Sequence, residues 1–148
     1  MSLETKIMDA MKAAMKEKDK VALESLRAIK SQLLLLKTGG GDGEVTEEQE
    51  VLLLQRLVKQ RKEAYEQFVA NNRQELADNE IAQAKVIEQF LPKQLTPEEL
   101  ENEIRSIIEE VGAKDIKDLG KVMGVASKKL QGKAEGKLIS QTVKNLLA

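Results

Sequence analysis

The chain contains no cysteine, no histidine and no tryptophan. Without cysteine it has no disulfide, no thiolate nucleophile and no zinc site of the Cys/His kind. Without histidine it lacks the commonest general base near neutral pH, and its serines and threonines have no imidazole to activate them. Aromatic residues are reduced to Tyr65, Phe68 and Phe90, so there is no aromatic platform on which nucleobases could stack. Any contact with nucleic acid must therefore work through charge and shape. The apolar run Leu33–Leu36 is only four residues long, far short of the roughly 18 needed to span a membrane. The start of the chain lacks the charged-then-apolar pattern of a secretory signal. Carboxylate pairs such as Glu47-Glu48 and Glu109-Glu110 have no spacing that argues for acid/base chemistry. These absences together predict a cytoplasmic protein with no metal, no cofactor, no membrane association and no catalysis of its own.

What is present favours helix. The 148 residues are 41% apolar and 33% charged, a globular balance for one ordinary domain or two small ones. Ala, Leu, Glu, Lys and Gln, all good helix formers, dominate. Apolar positions recur with helical spacing almost throughout. Leu3, Ile7, Met11 and Met15 mark a first helix, and Leu26, Ile29, Leu33 and Leu36 a second. The second ends at the connector Gly39–Gly43, which is read as a loop. Thr46 opens a third helix with the face Leu54, Leu57, Val58, Ala64, Tyr65 and Phe68. Asn72 with Glu75 resembles a capping box for a fourth helix, which carries Leu76, Ile81, Ala84, Ile87 and Leu91.

Pro92 then demands a boundary, because the residue before proline avoids helical geometry. Leu91–Pro97 is the best candidate for a linker. Thr96 as N-cap, Pro97 at the first helical position and Glu99 three residues after the cap form a strong helix start. The helix that follows buries Leu100, Ile104, Ile107, Ile108 and Val111 and stops at Gly112. Two shorter helices follow, with the stripes Leu119-Val122-Met123-Ala126-Leu130 and Ile139-Val143-Leu146. The predicted fold is all-α: an N-terminal bundle of about four helices (residues 1–92) and a small three-helix C-terminal domain (residues 93–148).

Charge is unevenly divided. Residues 93–111 hold two basic against six acidic side chains, whereas residues 112–148 hold eight lysines against three acids. A basic segment on a nearly neutral chain suggests a polyanion partner. Within it, the connector Gly132-Lys-Ala-Glu-Gly-Lys137 stands out. Gly132 can take the left-handed conformation that ends a helix, and Gly136 allows close backbone approach where the next begins. The first amides of that next helix would point outward beside Lys133 and Lys137. An ordinary helix–helix turn with solvated lysines is the plainer alternative. It is no phosphate-binding Walker loop, because Leu138 stands where Ser or Thr should coordinate magnesium.

Gly120 and Gly124 lie inside the preceding helix. Each weakens it by up to about 1 kcal/mol relative to alanine, so close helix packing or close approach of a ligand is expected there, packing being the commoner reason. Lys121, Lys128 and Lys129 would form a stripe leading to the connector. On the third helix Arg61 falls on the apolar face between Val58 and Tyr65, and a buried ion pair is expected to hold it, with an anion site the alternative.

Five segments in this order resemble the YqeY family of small bacterial proteins: Leu26-Arg-Ala-Ile-Lys-Ser31, Lys59-Gln-Arg-Lys-Glu-Ala64, Phe90-Leu-Pro-Lys-Gln-Leu95, Gly120-Lys-Val-Met-Gly124 and Gly132-Lys-Ala-Glu-Gly-Lys137. The resemblance covers essentially the whole chain. Its C-terminal part is similar to the tail domain of the aspartyl/glutamyl-tRNA amidotransferase. The resemblance implies tRNA as the polyanion, gripped by the set Gly120, Met123, Gly124, Gly132, Lys133, Gly136 and Lys137. Joined to the charge reading, this nominates Gly120, Lys121, Gly124, Lys128, Lys129, Gly132, Lys133, Gly136 and Lys137 as the nucleic-acid-binding residues. A tRNA synthetase or amidotransferase is the implied protein partner. Family association alone brings in carbon–nitrogen ligase activity with glutamine as amide donor, but no residues matching the amidotransferase's catalytic centres stand here. Where the tail domain has Gly-Lys-Ala-Asn-Pro this chain has Gly-Lys-Ala-Glu-Gly, which places the charge of Glu135 at the proposed contact.

Overall fold

The computed structural model describes residues 2–39 and 44–148. Among them every regular element is helical, and no strand occurs. The all-α class is therefore correct. The chain divides into two compact units, Met1–Leu91 and Pro92–Ala148, each with its own apolar core.

The first unit holds α1 (Leu3–Glu17), α2 (Lys20–Thr38), α3 (Glu47–Ala70) and α4 (Gln74–Glu88). α1, α2 and α3 start where polar side chains can take up free amides, whereas α4, entered from Arg73, has no side-chain cap. Ser2 accepts from the Thr5 amide and Asp19 from the Ala22 amide. Thr46 and Gln49 make a reciprocal capping box. α3 and α4 pack along one another, and α2 packs on α1 and α4. Ile7, Leu26, Ile29, Leu54 and Ile87 lie fully buried at the centre.

Four sequence expectations fail in this part of the first unit. Asn72 does not cap α4. It adopts a left-handed conformation (φ 59°), and the amide of Arg73 bonds back to the carbonyl of Phe68, so Asn72 closes α3 instead. Asparagine suits either role, and chain path decided between them. Met15 is 54% exposed; a four-residue step overshoots the helical turn by roughly 40°, so three steps carry it off the buried face. Leu76 is also exposed, because Ala77, fully buried, takes the inward position. Leu36, in the final turn of α2, is partly solvent-facing as well. In the expected loop, Gly39 caps α2, and the remainder, residues 40–43, lies outside the described residues.

The second unit holds α5 (Pro97–Val111), a short 3-10 turn (Ile116–Asp118), α6 (Leu119–Lys129) and α7 (Gly136–Leu147). The Thr96–Glu99 capping box and Pro97 start α5 as the sequence predicts, and Gly112 ends it with φ 70°. Hydrogen bonds from the Thr96 backbone and side chain hold the Glu99 carboxyl below the usual carboxylate range. α5, α6 and α7 pack mutually around Ile104, Ile107, Val122, Ala126, Ile139 and Val143. Asp118 leads into α6, its carboxylate accepting from the Lys114 amide.

Candidate nucleic-acid interface

At roughly 100° per residue, the buried residues Val122 and Ala126 set the inward direction of α6. Gly120, Lys121, Gly124, Ser127 and Lys128, all exposed, then fall within an arc of roughly 120° on the opposite side. Lys129 does not join them. It points around the helix to α5, where its ammonium pairs with Glu110 at 2.7 Å. The stripe is thus Lys121 and Lys128 with two glycines beside them, not three lysines.

The glycines have no packing role. A Cβ built on Gly120, Gly124 or Gly136 would meet nothing within 4 Å. Close helix contact, the commoner expectation, is therefore excluded, and α6 carries its helix-weakening glycines on an open face.

The connector between α6 and α7 is firmly held. Leu130 is buried and its carbonyl accepts from the Lys133 amide at 2.9 Å. Gly132 is buried with φ 80°, a conformation that L side chains rarely adopt. Its carbonyl accepts from the Gln94 side-chain amide at 2.6 Å, and the next carbonyl, of Lys133, accepts from the Leu95 amide at 2.8 Å. Gln94 donates also to the Pro92 carbonyl. Residues 92–95, read from sequence as a linker, are thus a strap within the second unit. Gln94 and Leu95 are the site residues that sequence reasoning missed. Their segment belongs to one of the five family-like motifs, but nothing in it signals the partner.

The carbonyls of Gly132 and Lys133 thus both turn toward the strap, while the side chain of Glu135 is exposed in the same connector. α7 starts at Gly136 after extended Glu135, with no acid in its first turn and no side-chain cap. The first intrahelical bond is from Ile139 to the Glu135 carbonyl, so the amides of Gly136, Lys137 and Leu138 precede the ladder. Lys133 and Lys137 flank them, both exposed. The helix-start amides and two ammonium groups suit an anionic oxygen, against the opposing charge of the exposed Glu135 beside them.

A family model of the Yqey-like proteins matches residues 4–147. The chain belongs to the YqeY family. The match covers nearly every residue, so both units fall within it. No curated protein matches the sequence.

Arg61, in the first unit, is placed differently from expectation. Its guanidinium approaches Gln83 and the Leu57 carbonyl, each at 3.4 Å. Gln83, buried, donates to Glu24 at 3.1 Å and to Asn79 at 2.8 Å. The arginine therefore reaches a carboxylate through an intervening amide. The relay ties α2, α3 and α4 together and supplies polar partners inside the bundle.

Proposed function

We propose that this YqeY-family chain is a non-catalytic tRNA-binding accessory protein of tRNA-dependent amidation or aminoacylation. The observation that carries the reading is the open face of α6 and the adjoining connector. Gly120, Gly124 and Gly136 leave empty space where side chains would stand, and Lys121, Lys128, Lys133 and Lys137, close to them along the chain, are all exposed. Glycines weaken a helix and here have no internal packing to offset that loss; close approach of a sugar-phosphate backbone supplies a reason for them. Contacts of this kind position a protein on nucleic acid without reading its sequence. The near absence of aromatics fits backbone recognition. The similarity to the amidotransferase tail domain supports tRNA as the nucleic acid.

The test is binding of total tRNA across a salt series, with a Lys133→Ala/Lys137→Ala variant alongside. Removing one lysine–phosphate pair should reduce the slope of log affinity against log salt by about 0.7–0.9, so the double variant should bind more weakly and fall less steeply. Absence of binding at low salt overturns the reading.

A second reading, an adaptor that docks a synthetase or amidotransferase through the first unit, has one observation in its favour. Leu34 and Leu35 on α2 are each 60% exposed, beside the exposed Arg27 and Lys30. Partner capture that survives the double lysine change but is lost in Leu34→Ser/Leu35→Ser selects this alternative.

A further inference from the structure

Of the four lysines in the proposed contact, Lys121 and Lys128 stand on α6 and Lys137 on α7, whereas Lys133 stands in no helix. It is exposed between Gly132 and Ala134, which are both buried. A helix orients the side chains it carries through its own ladder of backbone bonds. Lys133 has no ladder, and three other hydrogen bonds take its place.

A peptide unit is planar, so a residue has only the two dihedral angles that join its flanking planes. The plane before Lys133 is held at both edges. The Lys133 amide donates to the Leu130 carbonyl at 2.9 Å, and the Gly132 carbonyl accepts from the Gln94 side chain at 2.6 Å. The plane after it is held through the Lys133 carbonyl, which accepts from the Leu95 amide at 2.8 Å. With both planes fixed, φ and ψ of Lys133 are fixed too, and with them the direction in which its Cα–Cβ bond leaves the chain. Part of the ordering of a long side chain is then complete before a ligand arrives.

Only one of these three bonds is made by a side chain. Gln94 is exposed, yet its amide nitrogen serves two backbone carbonyls, of Pro92 at 2.8 Å and of Gly132, which engages both of its hydrogens. Gly132 at φ 80° and the bond from Lys133 to Leu130 already turn the chain out of α6. The Gln94 amide adds a restraint from 38 residues earlier in the sequence.

We propose that Gln94 is a positioning residue for the tRNA contact: its amide sets the Gly132–Lys133 peptide so that Lys133 is presented to a phosphate oxygen. The inference rests on the reading of this face as a tRNA contact and adds to it an uncharged residue that acts through Lys133.

Gln94→Met keeps the length of the side chain and the net charge while removing the donor. Total tRNA is titrated onto the full-length chain across a salt series for wild type, Gln94→Met, Lys133→Ala and Lys128→Ala, and for Gln94→Met combined with each lysine change. Gln94→Met should weaken binding about three- to tenfold. Although it removes no charge, it should lower the slope of log affinity against log salt toward that of Lys133→Ala, a drop of up to about 0.7–0.9. Combined with Lys133→Ala it should have little further effect, whereas combined with Lys128→Ala it should keep its full effect. Circular dichroism at the assay temperature checks that each variant is folded. If Gln94→Met does not fold, Gln94→Asn, which keeps the amide but shortens its reach by one methylene, takes its place in the same series. Unchanged affinity and slope, or an equal loss in the Lys133→Ala and Lys128→Ala backgrounds, overturns the positioning role and leaves the tRNA reading standing. No binding by the wild type at low salt overturns both.

Discussion

The Gln94 side-chain amide bonds to the Gly132 carbonyl at 2.6 Å across 38 residues of sequence. The neighbouring Leu95 amide bonds to Lys133, so two segments that look like loops determine each other's conformation. Replacing Gln94 by alanine removes the donor and leaves a buried residue's carbonyl without this partner. The expected loss is about 1–3 kcal/mol, measured by thermal or denaturant unfolding. Faster amide exchange at Leu95 and in the first turn of α7 should accompany it, with α3 and α4 unaffected.

Gly124→Ala separates helix stability from close approach. A Cβ there meets nothing and the position is mid-helix and exposed, so melting should rise, by about 0.5–1 kcal/mol of stability. If the open face binds RNA backbone, the same change should reduce affinity. A gain in stability with a loss of binding is the expected signature. A drop in stability would contradict the open face of α6.

Much of this fold is legible from local sequence alone. The capping pair Thr96 and Glu99, with Pro97 between them, identifies the start of α5 by purely local chemistry, and Gly112 marks its end in the same way. Helical periodicity finds the buried sides of α5, α6 and α7. Apart from Met15, where strict four-residue spacing outruns the helical turn, what fails is whatever depends on chain path. Asn72 could cap the helix after it or close the one before, and only the bond from Arg73 to Phe68 decides. Lys129 follows Lys128 in sequence, yet the turn of the helix delivers it to Glu110. The glycines of α6 signal that something is unusual there, but whether the space beside them is filled is a property of tertiary packing. Gln94 has no periodic signature at all.

The buried Gln83 joins Arg61 on α3 to Glu24 on α2. Gln83→Ala should destabilise the first unit by about 2 kcal/mol, since each partner loses a hydrogen bond in a partly buried setting. Arg61→Met should be milder, because it removes the charge along with the need for the amide while retaining much of the packing. Chemical unfolding of the three proteins in parallel checks the order.

Glu50 offers a pH prediction of opposite sign to the usual carboxylate. Burial first, then the neighbouring charge of Glu47, raises its pKa above the ordinary value, against the attraction of Lys6 and Lys37. The folded state therefore holds this proton more tightly than the unfolded chain, and ionisation of Glu50 weakens the fold as pH rises through the carboxylate range. Glu50→Gln should stabilise the protein at pH 7, and the difference should vanish as pH falls below that range. Glu99 runs the other way: its lowered pKa gives stability at neutral pH that is lost in acid as the capping box is protonated. Melting curves of wild type, Glu50→Gln and Glu99→Gln across pH distinguish the two.

The division of charge within the second unit has a kinetic meaning. Acidic side chains predominate on α5, whereas lysines occupy the open face of α6 and the connector, on a chain whose formal net charge is only −1. Such a unit behaves in a field as an electric dipole more than as a point charge. A polyanion at a distance would exert little net pull on the whole protein but a torque on this part of it, rotating lysines forward and acids back. Most encounters would then begin in nearly the right orientation, and the gain would appear in the association rate. It would fade as added salt shortens the Debye length below about 10 Å.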